Sequence, residues 1–236
     1  MIYFKEEDDK KEIAELKPID VDINIPDLKN INRHSIAVVV GIEDYRYAPK
    51  VEFAENDANI FYKYAKNILG VPKKRINLLK NEDATLGGLK SIFGKENWID
   101  KRISNKDSTD IYIFFAGHGL ATNNGEELYI LPQDSDPDLL RRTALSRKEL
   151  FDIILALEPK SVTMFFDTCY SGVSREEQTL LADARPIRLK LEDQSDIPKN
   201  FTIFSASGLD QISSGLKEAK HGIFSYYVMK GLEGKS

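Results

Sequence analysis

Two short stretches do most to limit what this chain can fold into. Ser161-Val162-Thr163-Met164-Phe165-Phe166 runs into Asp167-Thr168-Cys169-Tyr170-Ser171-Gly172, and Asp110-Ile111-Tyr112-Ile113-Phe114-Phe115 runs into Ala116-Gly117-His118-Gly119. Each is a mostly apolar, β-prone run of the kind that fills a parallel sheet covered on both faces. Each then ends in a polar tip containing glycine, and the carboxyl ends of such strands are where open α/β sheets place their ligands. The first tip carries Cys169, the only cysteine in the protein; the second carries His118. If the two strands are neighbours, a thiol and an imidazole stand together at one edge of the sheet.

Taken singly, neither residue says much. A cysteine closing an apolar strand is ordinarily a packing group, because free thiols are among the most buried side chains. The pair says more. Gly117 and Gly119 let the backbone approach a ligand closely, which packing does not require.

The remaining chain supplies the rest of an α/β architecture. A buried strand is predicted over 36–42, with a polar loop over 43–49 at its carboxyl end. Ala54, Ala58, Phe61, Ala65 and Ile68 then recur at helical spacing, with Gly70 as the stop. A strand over 75–79 follows, then a helix capped by Thr85 and running to about 93. Asn123-Asn124-Gly125 signals a hairpin turn between 119–121 and 128–131. Ser146 caps a helix carrying Leu150, Ile153, Ile154 and Leu157, a strand is predicted over 201–207, and a last helix over 221–230. This alternation gives βαβ units, hence a mostly parallel central sheet with helices on both faces. Residues 1–34, with their run Lys5-Glu6-Glu7-Asp8-Asp9-Lys10-Lys11-Glu12, read as a solvated, partly extended lead-in or linker. The folded domain is expected over 35–236, with a large part to about 172, an aperiodic charged loop over 173–199, and a small part over 200–236 that is expected to be cut short. A loop of that length inside a compact domain is usually functional or disordered.

Composition narrows the function. Of the 236 residues 42% are hydrophobic, enough for one sizeable core. The net charge of 33 − 38 = −5 is spread along the chain, whereas a nucleic-acid partner would call for a basic face. No apolar run approaches the roughly 18 residues of a membrane span, and the first thirty residues are too charged for a secretory signal. A single cysteine forms no internal disulfide, which fits a reducing compartment, so a cytoplasmic location is expected.

The two tips carry a family likeness. Phe114-Phe115-Ala116-Gly117-His118-Gly119 and Phe166-Asp167-Thr168-Cys169-Tyr170-Ser171-Gly172 resemble the paired catalytic motifs of caspase-like cysteine peptidases of clan CD, most closely metacaspases, paracaspases and bacterial caspase homologues. The separation of 169 − 118 = 51 residues agrees with a histidine about 50 residues upstream of the cysteine in caspases. The resemblance spans 36–231 and implies a caspase-like three-layer sandwich. It also implies a Cys-His dyad: His118 as general base or ion-pair partner, Cys169 as nucleophile, and the backbone N–H groups of Gly119 and Cys169 as the oxyanion hole. No third catalytic side chain is evident, and relatives often use a backbone carbonyl in that place.

The likeness also bears on specificity. Asp167, two residues before the cysteine, stands where metacaspases and paracaspases carry an acid lining the first specificity pocket; true caspases have Gln-Ala-Cys at the nucleophile and an arginine-lined pocket. Asp57 and Asp210 match two further pocket acids by resemblance. Read alone, Asp57 is a helix N-terminal carboxylate and Asp210 a turn residue. Clustered carboxylates are costly to desolvate, and a substrate cation relieves them. Cleavage of protein or peptide substrates after Arg or Lys is therefore expected, with Arg favoured for its bidentate fit. Arg175, Arg185, Arg188, Lys190 and Lys199 in the long loop offer sites for self-cleavage; an ordinary solvated loop is the plainer reading. No cofactor is expected to be required. Calcium, which activates many metacaspases, is a candidate activator, although Asp134, Asp136 and Asp138 do not make an EF-hand, because Leu139 and Leu145 replace the required Gly and Glu. An upstream sensing or recruiting module would suit the charged lead-in. His34 matches no pattern, and His221 is expected to pack. Two rivals stand beside the peptidase: a non-catalytic scaffold of the same shape, and a cysteine phosphatase using Cys169 to Arg175 as a C-x₅-R cradle.

Overall fold

The computed structural model describes residues 20–23, 25–103, 106–122, 127–168, 197–206, 215–217 and 219–234. Cys169, Asp210, the Asn123-Asn124-Gly125 turn and residues 173–196 of the long loop lie outside that set.

Among the described residues five parallel strands form the central sheet: β1 (Ile36–Gly41), β2 (Ile76–Lys80), β3 (Asp110–Ala116), β7 (Ser161–Asp167) and β8 (Phe201–Ser205), in the order β2-β1-β3-β7-β8. Their continuous apolar runs are explained by burial on both faces. Ile36, Val38, Val40, Ile111, Ile113, Phe115, Val162, Met164 and Phe166 pack on one side. They meet Leu89 and Ile92 of α3 (Leu86–Ile92) and Leu150 and Ile154 of α5 (Arg147–Leu155). On the other side Ala37, Val39, Phe114, Ala116 and Phe165 meet Ala54, Ala58, Phe61 and Ala65 of α2 (Ala54–Asn67) and the partly buried Phe224 and Val228 of α6 (Ile223–Leu232). The period of two along each strand thus sorts its side chains between the two helical layers. Phe61 stacks on Phe114 with ring centroids 4.3 Å apart.

Helix limits follow local chemistry. Thr85 and Ser146 each accept the backbone N–H three residues on, capping α3 and α5. Gly70 takes φ +69° just beyond α2, a conformation that halts a helix at little cost for glycine. Gly41 closes β1 where α2 comes nearest: a Cβ there would stand 2.4 Å from the Ala54 carbonyl oxygen and 2.5 Å from the Ala58 Cβ.

Smaller elements accompany the central sheet. β4 (Gly119–Ala121), β5 (Leu128–Ile130) and β6 (Leu145–Ser146) form an antiparallel sheet, with α4 (Leu140–Thr143) preceding β6. β9 (Gly215–Leu216) pairs with β10 (His221–Gly222) just ahead of α6. The end of the lead-in lies on the domain: after α1 (Asp20–Ile23), Leu28 donates to the Asn67 carbonyl and Asn32 to that of Gly70. Val21, fully buried, packs with Tyr64, Tyr226 and Met229. Among the described residues no helix is long and apolar enough to cross a membrane.

Candidate active site

His118 stands two residues past the end of β3, after Gly117, and is buried, at 3% exposure. Contacts to its main chain and its ring fix it. Its backbone N–H donates to Tyr45 Oη at 2.7 Å, its carbonyl accepts from Leu131 N at 3.0 Å, and its Nε2 lies 2.8 Å from the Pro49 carbonyl oxygen. A carbonyl only accepts, so Nε2 carries a proton; in the neutral ring that leaves Nδ1 as the basic nitrogen, the tautomer a general base needs. The Tyr45 ring lies against the imidazole, centroids 4.8 Å apart. Tyr45 and Pro49 both belong to the β1–α2 loop. That loop leaves β1 toward β2 on one side, while β3 lies on the other, the switch point at which open α/β sheets form a crevice.

β7 lies beside β3 with Ala116 opposite Asp167, and Gly117 N donates to the Asp167 carbonyl at 3.3 Å. The positions two residues beyond this matched pair are His118 and Cys169. Cys169, the expected nucleophile, lies outside the described residues, and so does its half of the expected oxyanion hole. Gly119, the other half, is buried and begins β4 opposite Ile130.

Two of the three acids singled out in sequence converge, and they do so on the start of α6. Asp167, fully buried, accepts at Oδ2 from Ser225 Oγ (2.5 Å) and Ser225 N (3.3 Å). Asp57, also fully buried, accepts from Gly222 N at 3.0 Å and lies 2.6 Å from His221 Nδ1. The N-cap residue of α6 is Gly222, which has no side chain to cap with; carboxylates from β7 and α2 satisfy its open amides and suit the positive end of its dipole. Asp210, the third acid, is outside the described residues.

His221 is the buried packing residue the sequence suggested, with more electrostatics than expected. Its Nδ1 faces Asp57 and its Nε2 lies 2.9 Å from Asp22 Oδ1. Satisfying both carboxylates takes an N–H on each ring nitrogen, which only the imidazolium has. Burial opposes that charge, but Asp57 and then Asp22 outweigh it and hold the imidazole pKa above its ordinary value. Asp57 therefore already has a cation of the protein's own.

Sequence reasoning singled out His118 but not what holds it. A carbonyl such as that of Pro49 has no sequence signature. Tyr45 stood inside a loop read only as polar, although a tyrosine four residues past the Gly41 strand end was a usable signal. Ser225 could have been suspected from its place in the first turn of a helix starting with glycine. The acids of the calcium-like run cap backbone: Asp134 Oδ1 accepts from Leu86 N and Asp136 Oδ1 from Asp138 N.

A parallel sheet between two helical layers, with a braced imidazole at its carboxyl edge beside the strand that leads to a lone cysteine, defines the caspase-like type of clan CD cysteine peptidase fold. The family model for the caspase domain of C14 peptidases matches residues 34–236, and the chain belongs to that family. Among solved structures it is similar to the crystal structure of caspase-1 from Spodoptera frugiperda, with a TM-score of 0.53 and 12% identity. That match covers 89% of this chain and 74% of the other. No curated protein matches.

Proposed function

We propose that the chain is a cysteine endopeptidase that cuts protein or peptide substrates after Arg or Lys. The observation that carries this is the His118 imidazole, held through Nε2 by Pro49 O at 2.8 Å, just past the end of the strand paired in register with the one leading to Cys169. In this reading Nδ1 takes the Cys169 proton and the thiolate attacks the scissile carbonyl. The backbone N–H groups of Gly119 and Cys169 receive the developing oxyanion, a contribution of about 3 kcal/mol for a donor of this kind. The protonated imidazole then gives its proton to the leaving amine, and water hydrolyses the thioester by the reverse sequence.

The choice of a basic residue rests on Asp167 and Asp210 as direct partners of the substrate cation. Asp57, already facing His221, acts at longer range and shapes the site through α6. Self-cleavage within 173–199 is part of the proposal, because that loop offers five basic residues. Calcium is a candidate activator.

Profiling on a combinatorial peptide library, with and without calcium and with Cys169→Ala and His118→Ala as controls, tests the reading. Turnover confined to Arg and Lys, abolished in both variants, is the expected result. Cleavage after Asp would overturn the specificity. A folded protein with no turnover under any condition would favour the scaffold, and hydrolysis of a phosphotyrosine mimic lost in Arg175→Met would favour the phosphatase. For self-cleavage, loss of the loop fragments in Cys169→Ala is expected; the same fragments in both proteins would exclude it.

A further inference from the structure

We infer that Tyr45 is a positioning residue for His118, and that its hydroxyl sets the orientation in which the imidazole meets the thiol. The inference rests on the Cys-His dyad proposed above. A general base on a strand end is placed by two things, the height of its main chain and the plane of its ring. Tyr45 controls both. Its Oη accepts the His118 N–H at 2.7 Å, and its ring lies against the imidazole at a 46° tilt. Gly117 makes room for this: a Cβ there would stand 2.4 Å from the same hydroxyl.

The tyrosine is itself firmly seated. It packs against apolar side chains from both faces of the central sheet and from the small sheet. Its loop is closed by Val51 N donating to the Glu43 carbonyl (2.9 Å) and Arg46 N to that of Gln133 (3.0 Å). Asn81 Oδ1 accepts from Glu43 N and Asp44 N, and Lys50 pairs with Glu43 at 3.0 Å. Because Pro49 lies in the same loop, one closed segment holds the base at its main chain, its ring face and its Nε2. A tyrosine kept only for packing would not need its hydroxyl at this point.

Cys169 is the only thiol, so alkylation of the whole chain by iodoacetamide reports that residue alone. The rate is to be measured against pH for the parent protein, His118→Ala, Tyr45→Phe and Gly117→Ala, with thermal melting as a check of fold. The imidazolium lowers the thiol pKa, so the parent should react well below the ordinary thiol range near about 8.5, and His118→Ala should move the profile upward. Tyr45→Phe, which keeps the ring, is expected to move it part of the way. It should also lower kcat on an arginyl peptide about tenfold or more with KM little changed. Gly117→Ala, which keeps the hydroxyl but displaces it, is expected to shift the profile in the same direction, and it decides the matter should Tyr45→Phe lose its fold. A shift in His118→Ala with Tyr45→Phe and Gly117→Ala matching the parent would overturn the inference while leaving the dyad intact. No shift even in His118→Ala would overturn both.

Discussion

A buried imidazole between two carboxylates makes a testable difference at the scale of one residue. The His221 pKa is raised on folding, so the native state binds that proton more tightly than the unfolded chain. The resulting stabilisation is fully present below the unfolded value of about 6.5 and is lost as pH rises through the higher native value. The melting temperature of the parent protein should therefore fall between pH 6 and 9 more steeply than that of His221→Gln; equal slopes would contradict the charge state assigned here. Removing the cation leaves Asp57 buried without its partner, and a loss of about 3 kcal/mol is expected for His221→Ala by chemical denaturation. At Asp167 the test is selectivity. Asp167→Asn keeps the volume and the contact with Ser225 while removing the charge, so the ratio of kcat/KM for Arg over an uncharged isostere should fall at least tenfold, and an unchanged ratio would remove Asp167 from the pocket.

Among the elements, α6 and α2 carry the most weight for the site. Ser225→Ala removes a hydrogen bond to a buried carboxylate and a support of the first turn of α6, and should cost about 1–3 kcal/mol of stability in urea unfolding. Gly41→Ala forces α2 away from β1, since its Cβ would meet the Ala54 carbonyl and the Ala58 Cβ. About 1–3 kcal/mol of destabilisation is expected, with weaker arginyl-peptide binding because Asp57 rides on the same helix; a variant as stable as the parent would show that α2 can move freely. Elements of this kind were readable in advance wherever the cause was local. Thr85, Ser146 and Gly70 ended or began helices where their side chains or φ allow, and 119–121 with 128–130 formed the expected antiparallel pair. What escaped were contacts made at a distance. The sequence of Asp57 gives no sign that its carboxylate crosses to His221, and nothing local in 20–34 shows that Val21 would be buried under Tyr226.

For the whole molecule, the strand pattern and the strand order were legible to different degrees. Runs such as Ile111 to Phe115 are apolar at every position, which fixes a sheet covered on both faces. They do not fix which strands are neighbours. β3 and β7 are separated in the chain by the small sheet and α5, and their pairing, on which the approach of His118 to the Cys169 strand depends, followed from the family likeness rather than from any local signal. The same holds for the β1–α2 loop: β1 must lie beside β3 before Pro49 can reach the imidazole. The central claim, that Cys169 is a nucleophile activated by His118 beside a pocket for a guanidinium, is tested most directly by covalent labelling with an arginyl peptide carrying an acyloxymethyl ketone. Mass spectrometry of the digested product should place one label on Cys169, none with the aspartyl analogue, and little in His118→Ala. Equal labelling by both probes, or undiminished labelling without His118, would contradict it.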